Sequence, residues 1–266
     1  WNDSAPLRAG RDYAKADASV IESDWKLYQR LDRTHTYFNR YALASYLADP
    51  LAGRLAAAGE DVIEDYRNST DSPPERFDWA KARTALAHAV ELRPASAELR
   101  GQLALCDGYL KLDASPDEAL ERFREAASLS PKSPDPHLAL ARLYVYHLHN
   151  EGQAIAEFQA AERLGHKLAP REMEQQGDVY LHTAIDEYQQ WVKASATVDQ
   201  RRLLPIMQGD FDRARALFEP IRGYSNVNHS LERVYRFQAS VEAISQDREK
   251  ALLVAATRKS RPRRWR

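Results

Sequence analysis

Residues 103–127, LALCDGYLKLDASPDEALERFREAA, are echoed 35 residues later by residues 138–162, LALARLYVYHLHNEGQAIAEFQAAE. Leu105, Cys106, Tyr109, Ala119, Phe123 and Ala126 align with Leu140, Ala141, Tyr144, Ala154, Phe158 and Ala161. Six matched positions at one spacing mark a structural repeat. The second half of the pattern stands upstream as Ala82, Leu86 and Ala89 followed by Pro94, in register with Ala119, Phe123, Ala126 and Pro131. The first half returns as Gly177 and Tyr180, and the second half as Ala214 and Phe218.

The pattern describes a pair of helices. A small residue at Cys106, Ala141 or Gly177 lets two helix axes approach, and Tyr109, Tyr144 or Tyr180 fills the space one turn on. Phe123 and Phe158 are the large plugs of the second helix. Punctuation agrees. Ser115-Pro116-Asp117-Glu118 reads as a capping box with proline at the first helical position, and Ser72-Pro73-Pro74-Glu75 has the same form. Pro94 and Pro131 end second helices. The expected helices cover 75–93, 95–112, 115–130, 134–148, 151–164 and 168–192. Before them, Asp49-Pro50 reads as an N-cap and first helical position. Leu51, Leu55, Ala58, Val62 and Tyr66 then form one buried stripe.

Four segments follow. Residues 1–48 are an N-terminal arm and capping helices, with Ile21, Trp25 and Tyr28 on one face. Residues 49–222 carry the repeats, 223–257 a closing helix, and 258–266 a basic tail. Within the repeats, 181–208 has two readings. One is a long helix from 170 to about 193 followed by an insertion. The other, which the spacing favours, is an extra degenerate repeat, because Leu204 to Ala214 repeats the ten-residue spacing of Tyr109 to Ala119.

Over residues 49–222 the pattern resembles the tetratricopeptide repeat, a helix-turn-helix of about 34 residues. The resemblance implies an all-α fold, a right-handed α-solenoid of antiparallel helix pairs, and a protein-protein interaction scaffold without catalysis. It implies that first helices line a groove. The groove would present Arg100, Leu103, Asp107, Leu110 and Lys111, then Asp135, Leu138, Arg142, Val145 and Tyr146, then Arg171, Glu174, Asp178, Leu181 and His182. Relatives that clamp a partner's terminal carboxylate use Lys and Asn where this chain has Leu103 and Asp107, so that clamp is not expected. The family's early Trp is replaced by Gln102 and His137. Bacterial envelope proteins often look like this. With a chain starting at Trp1, that leads to an expected envelope or periplasmic location after loss of a signal or anchor. Two other readings stay open: a permanent structural subunit of a larger complex, membrane-associated or not, and a cryptic enzyme or accessory to one.

Composition supports these expectations. The 266 residues carry 38 Lys plus Arg against 39 Asp plus Glu, a net charge of −1. That excludes a globally basic nucleic-acid binder, and no specific nucleic-acid partner is expected. Mean hydropathy is −0.63, and the longest apolar run, Ala251–Ala256, is far below the ~20 residues of a membrane span. One cysteine cannot make an intramolecular disulfide or a multi-cysteine zinc site. His147 and His149, two apart on an expected helix, diverge by about 200°. With no P-loop, nucleophile elbow or dinucleotide motif, no catalytic residue, cofactor, metal or small-molecule substrate is expected, and the partners are proteins.

The tail is the one charge block: Arg258, Lys259, Arg261, Arg263, Arg264 and Arg266, with Pro262 and Trp265 between them. It suits an anionic surface, ranked first as that of a partner protein. Deleting 258–266 is expected to weaken partner association while moving the melting temperature by only a few degrees. Rising salt should mimic the deletion, because screening weakens contacts made by exposed arginines. Size-exclusion chromatography of the complex at low and high salt checks both.

Overall fold

The computed structural model describes residues 23, 25, 26, 28–30, 44–69, 74–194 and 197–259, and of 44–47 and 251–259 the backbone alone. Among the described residues every regular element is helical and none is a strand. The chain divides into two compact units, Trp1–Lys167 and Leu168–Arg266.

The first unit contains α1 (Ala44–Asn68), α2 (Trp79–Leu92), α3 (Ala97–Lys111), α4 (Pro116–Leu129), α5 (Asp135–Tyr146) and α6 (Glu151–Arg163). Each helix from α1 to α5 packs on the next, and α3 also touches α1 and α5. The twelve repeat positions are all buried, and eight of them (Cys106, Ala119, Phe123, Ala126, Ala141, Ala154, Phe158 and Ala161) have no exposed surface at all. Ala82, Leu86 and Ala89 are equally sealed. An aromatic cluster ties four helices together. Trp79 of α2 stacks on Tyr109 of α3 at 4.0 Å, Tyr66 of α1 meets both edge-on, and Phe123 of α4 meets Tyr109 at 5.2 Å. Trp25 is buried and lies at 4.0 Å, stacked, on His88 of α2, with Tyr28 stacked behind it. Ile21 and the rest of the expected arm lie outside the described residues.

Several local expectations are corrected. Pro50 sits inside α1 rather than at its start. The helix runs through it, losing one backbone hydrogen bond, while Arg93 donates to the carbonyl and carboxylate of Asp49. The stripe on α1 passes through Ile63, 2% exposed, while Val62 is only half-buried. Pro74–Arg76 forms a short 3-10 turn, and α2 starts at Trp79 behind Asp78, whose carboxylate accepts from the Lys81 N–H at 2.9 Å. The Trp79 indole N–H donates to the Pro74 carbonyl at 2.8 Å and folds that turn against the helix. Ser72 and Pro73 of the expected box lie outside the described residues. Ser115 is the N-cap of α4 and Pro116 opens it, but the serine hydroxyl makes no capping bond. Glu118 pairs with Lys111 across the turn instead.

The second unit contains α7 (Pro170–Lys193), α8 (Thr197–Phe218) and α9 (Val227–Lys259), with a 3-10 turn at Glu219–Ile221. Here the first reading of 181–208 is nearer. No extra helix pair forms among the described residues: α7 and α8 are 24 and 22 residues long where α3 and α4 are 15 and 14. The additional residues lengthen both arms of one hairpin, so Gly177 and Phe218 still meet at its base. Pro205 lies within α8 rather than at a boundary. The longer arms have their own core, with Trp191, Met207 and Phe211 packed with Val234 and Val241 of α9. The 33-residue α9 runs past the expected closing helix and includes Arg258 and Lys259. Arg261, Arg263, Arg264 and Arg266 lie outside the described residues.

Close helix approach occurs where a large side chain presses on a glycine. A Cβ on Gly59 would lie 2.4 Å from Leu86, one on Gly108 2.3 Å from the Phe123 ring, and one on Gly177 2.4 Å from the Phe218 ring. The sequence pattern identified Gly177 but not Gly108, because the neighbouring Cys106 occupies the repeat's small position. A methyl group added at Gly209, inside α8, would meet nothing within 4 Å. Gly177→Ala is therefore expected to cost about 1–3 kcal/mol through overpacking. Gly209→Ala should gain roughly 0.5–1 kcal/mol from helix propensity alone. Urea unfolding of the two variants checks the opposite signs.

Candidate binding cavity

The helix packing of the first unit leaves a cavity of about 730 Å³. Its wall is built from one stripe of α1 (Ala56, Glu60, Ile63, Arg67), the N-terminal turns of α3, and the turn between α4 and α5. The α1 residues are four, three and four apart, so they lie on one face. Across from them, the lining includes Gln102 and Leu105 of α3, Ser133 of the α4–α5 turn and Asp135 at the start of α5. Gly101 makes room on the α3 side: a Cβ there would stand 2.1 Å from the Ser130 hydroxyl.

A polar network crosses this cavity. The Arg67 guanidinium donates through Nε and one Nη to the two carboxylate oxygens of Asp135, both at 2.7 Å, and through the same Nη to Glu60 at 3.2 Å. Asp135 also accepts from the Ser133 hydroxyl at 3.0 Å. The Gln102 amide donates to the other oxygen of Glu60. The Asp135 hydrogen bonds hold Arg67 more firmly protonated than usual. Glu60 shows the opposite balance. Burial pushes its carboxyl above the usual range, and the attraction of Arg67 offsets this only in part because Asp135 and Glu64 repel.

Of the groove residues expected from the sequence, Asp135 alone lines this cavity. On α3, Arg100 is exposed and donates to the Ser96 carbonyl at 3.4 Å. Asp107 pairs with Arg83 of α2 at 2.6 Å, and Lys111 with Glu118 of α4. These positions lie roughly half a turn around α3 from Gly101, Gln102 and Leu105. On α5, Arg142 lies over the Tyr146 ring at 5.2 Å, while Leu138 and Val145, expected at the groove, are buried. In the second unit, Arg171 is buried and pairs with Glu172 at 2.8 Å, Leu181 is sealed in the core, and His182 is exposed.

Glu60 and Arg67 were missed by sequence reading. Their spacing of seven places them on one helix face, but the partner that organises them, Asp135, is 68 residues from Arg67. The replaced aromatic position was the available signal. Gln102 and His137 each pair with a glutamate, Gln102 with Glu60 and His137 with Glu157 at 2.7 Å.

Elsewhere, chemistry is sparse. Cys106 is buried, and desolvation pushes its thiol up to about 12, which suits packing rather than nucleophilic attack. Among the described residues no group of three or more His, Cys, Asp or Glu is placed to hold a metal ion, and no helix is long and apolar enough to cross a membrane. No protein-family model matches the chain, and comparison with curated proteins finds no match.

One carboxyl in the second unit is strongly perturbed. Asp178 of α7 is pushed up to about 6, first by burial and then by Glu174, against the Ser230 hydroxyl bond at 3.3 Å and the attraction of Arg233. An acid with a raised folded-state pKa favours the fold when protonated. Its contribution is therefore present below the unfolded value near 4 and is lost as pH rises through about 6. Asp178→Asn is expected to raise the melting temperature by several degrees at pH 7.5, with the advantage disappearing at pH 4. Thermal scans of both proteins across that range check the sign.

Proposed function

We propose that this chain is a non-catalytic protein-interaction scaffold of the tetratricopeptide-like kind. In this reading the helix pairs of the first unit stack as a right-handed solenoid, and the partner surface centres on the cavity between α1, α3 and the α4–α5 turn. The cavity is the observation that carries the reading. It is concave and mixed in polarity, and it is built by helices locked through fully buried small and large residues. A scaffold packed in this way has met its ordering cost before a partner arrives, so its binding energy is not consumed by folding. The exposed or half-exposed polar residues on the other face of α3 are already engaged within the chain, Asp107 with Arg83 and Lys111 with Glu118. This favours the cavity side for contact.

The test is site-specific photo-crosslinking. A benzophenone amino acid in place of Lys132 or Glu98, both at the cavity, is expected to capture discrete proteins from the native source. The same probe at Arg100 or Lys111, on the other face of α3, and at Glu121, exposed on α4, should capture none of them. Equal labelling from all positions, or none from the cavity, would overturn the reading. A turnover assay or a co-purifying small molecule that identified a reaction would overturn it in favour of an enzyme.

A further inference from the structure

Inside the cavity two carboxylates face one guanidinium. Arg67 gives its paired bond to Asp135, both contacts at 2.7 Å, and only a longer 3.2 Å contact to Glu60. Asp135, accepting from Arg67 twice and from Ser133, is well satisfied. Glu60 is left with that longer bond and a neutral amide from Gln102. The other cations of the lining do not correct the imbalance. Arg93 is committed to Asp49 at 3.0 Å, and Lys132 stands exposed on the α4–α5 turn and shares the lining with exposed Glu98. The N-terminal turns of α3 and α5 and the C-terminal ends of α2 and α4 also border the space, two of each sign, so their partial charges largely cancel. Around Glu60 the wall is aliphatic: Ala56, Ala57, Ile63, Leu99 and Leu105.

From this geometry we infer that the cavity takes the side chain of an arginine or lysine from a partner protein, its charged head against Glu60 and its methylene stem along the aliphatic wall of α1 and α3. The inference rests on the scaffold reading and specifies the chemistry of the partner at that site. Three features select this ligand over others. The under-compensated carboxylate asks for a cation that can donate hydrogen bonds. The apolar wall suits a long stem that buries its carbons while its charge meets an oxygen. The Gln102 amide holds Glu60 from one side and Arg67 from the other, so the carboxylate is oriented before a ligand enters. A free carboxylate ligand would instead have to displace Asp135 from Arg67. A bare metal ion would find too few oxygens, since Arg67 and Gln102 direct their donors into the same space.

The inference is tested on the full chain by amide-resolved NMR titration with three small probes: N-acetyl-arginine methylamide, N-acetyl-lysine methylamide and N-acetyl-citrulline methylamide. The arginine or lysine probe is expected to shift the Gln102 side-chain amide and the backbone amides of residues 56–67 in a saturable way. Citrulline has nearly the same shape without the charge and should bind at least about tenfold more weakly. Glu60→Gln, which keeps the shape and the Gln102 contact, should lower affinity for the cationic probe about tenfold. Gln102→Glu, which adds a second carboxylate, should raise it several-fold. Putrescine included as a fourth probe separates a free-amine site from a side-chain site: binding tighter than both amino-acid probes would overturn the assignment to a partner residue. Equal binding of citrulline and arginine, or no change in Glu60→Gln, would overturn the inference. The crosslinking result is independent of these outcomes. Capture of a protein at Lys132 with no cation preference leaves the scaffold reading standing and removes this one.

Discussion

The close approach of paired helices is the constraint on which the rest depends. In three hairpins a large side chain of the second helix lies against a glycine of the first: Leu86 on Gly59, Phe123 on Gly108, and Phe218 on Gly177. A methyl group at any of these glycines would overlap the ring or branch beneath it. Close packing at one point sets the separation of the two axes, and the alanines at 82, 119 and 214 keep it along the second helices. Each hairpin then behaves as a stiff unit, and the aromatic cluster of Tyr66, Trp79, Tyr109 and Phe123 joins two such units in the first half of the chain.

The second unit shows how much variation that constraint tolerates. Its hairpin is longer without any change in the contact at the base, because the additional residues are shared between the two arms. A helix has no use for exposed apolar length, so the extension is stable only with a third surface to bury. Val234 and Val241 of α9, with Phe237 stacked on Phe211 at 5.9 Å, supply it. Arg248 completes the cover by lying over the Trp191 ring at 4.4 Å and donating to the Val192 carbonyl at 3.4 Å.

The cavity of the first unit comes from the same rules. On the α3 side, Gly101 and Gln102 leave the space beside α1 unfilled. The volume is lined by polar groups that the helices must satisfy among themselves. They do so through Arg67 acting as a bridge between α1 and the start of α5. That bridge gives Asp135 two bonds at 2.7 Å and Glu60 only one at 3.2 Å, which links the packing of the fold to the chemistry of the cavity.

Periodicity along the chain determined the helical class, most helix limits to within a few residues, and the buried identity of all twelve repeat positions. Those properties depend on residues three, four or about 35 apart, and a side chain at such spacing has its environment set by helix geometry. Local punctuation was less decisive. Pro50 reads as a boundary yet lies inside α1, and Ser115 caps in position but not by its hydroxyl. The ion pairs between helices were not legible. Arg67 with Asp135, Arg83 with Asp107 and Arg93 with Asp49 are 68, 24 and 44 residues apart, and a long charged side chain on a helix surface has many partners within reach. Which one it meets depends on how neighbouring helices are rotated. Tertiary packing alone decided that rotation, and with it which face of α3 opens onto a cavity and which is closed by contacts within the chain.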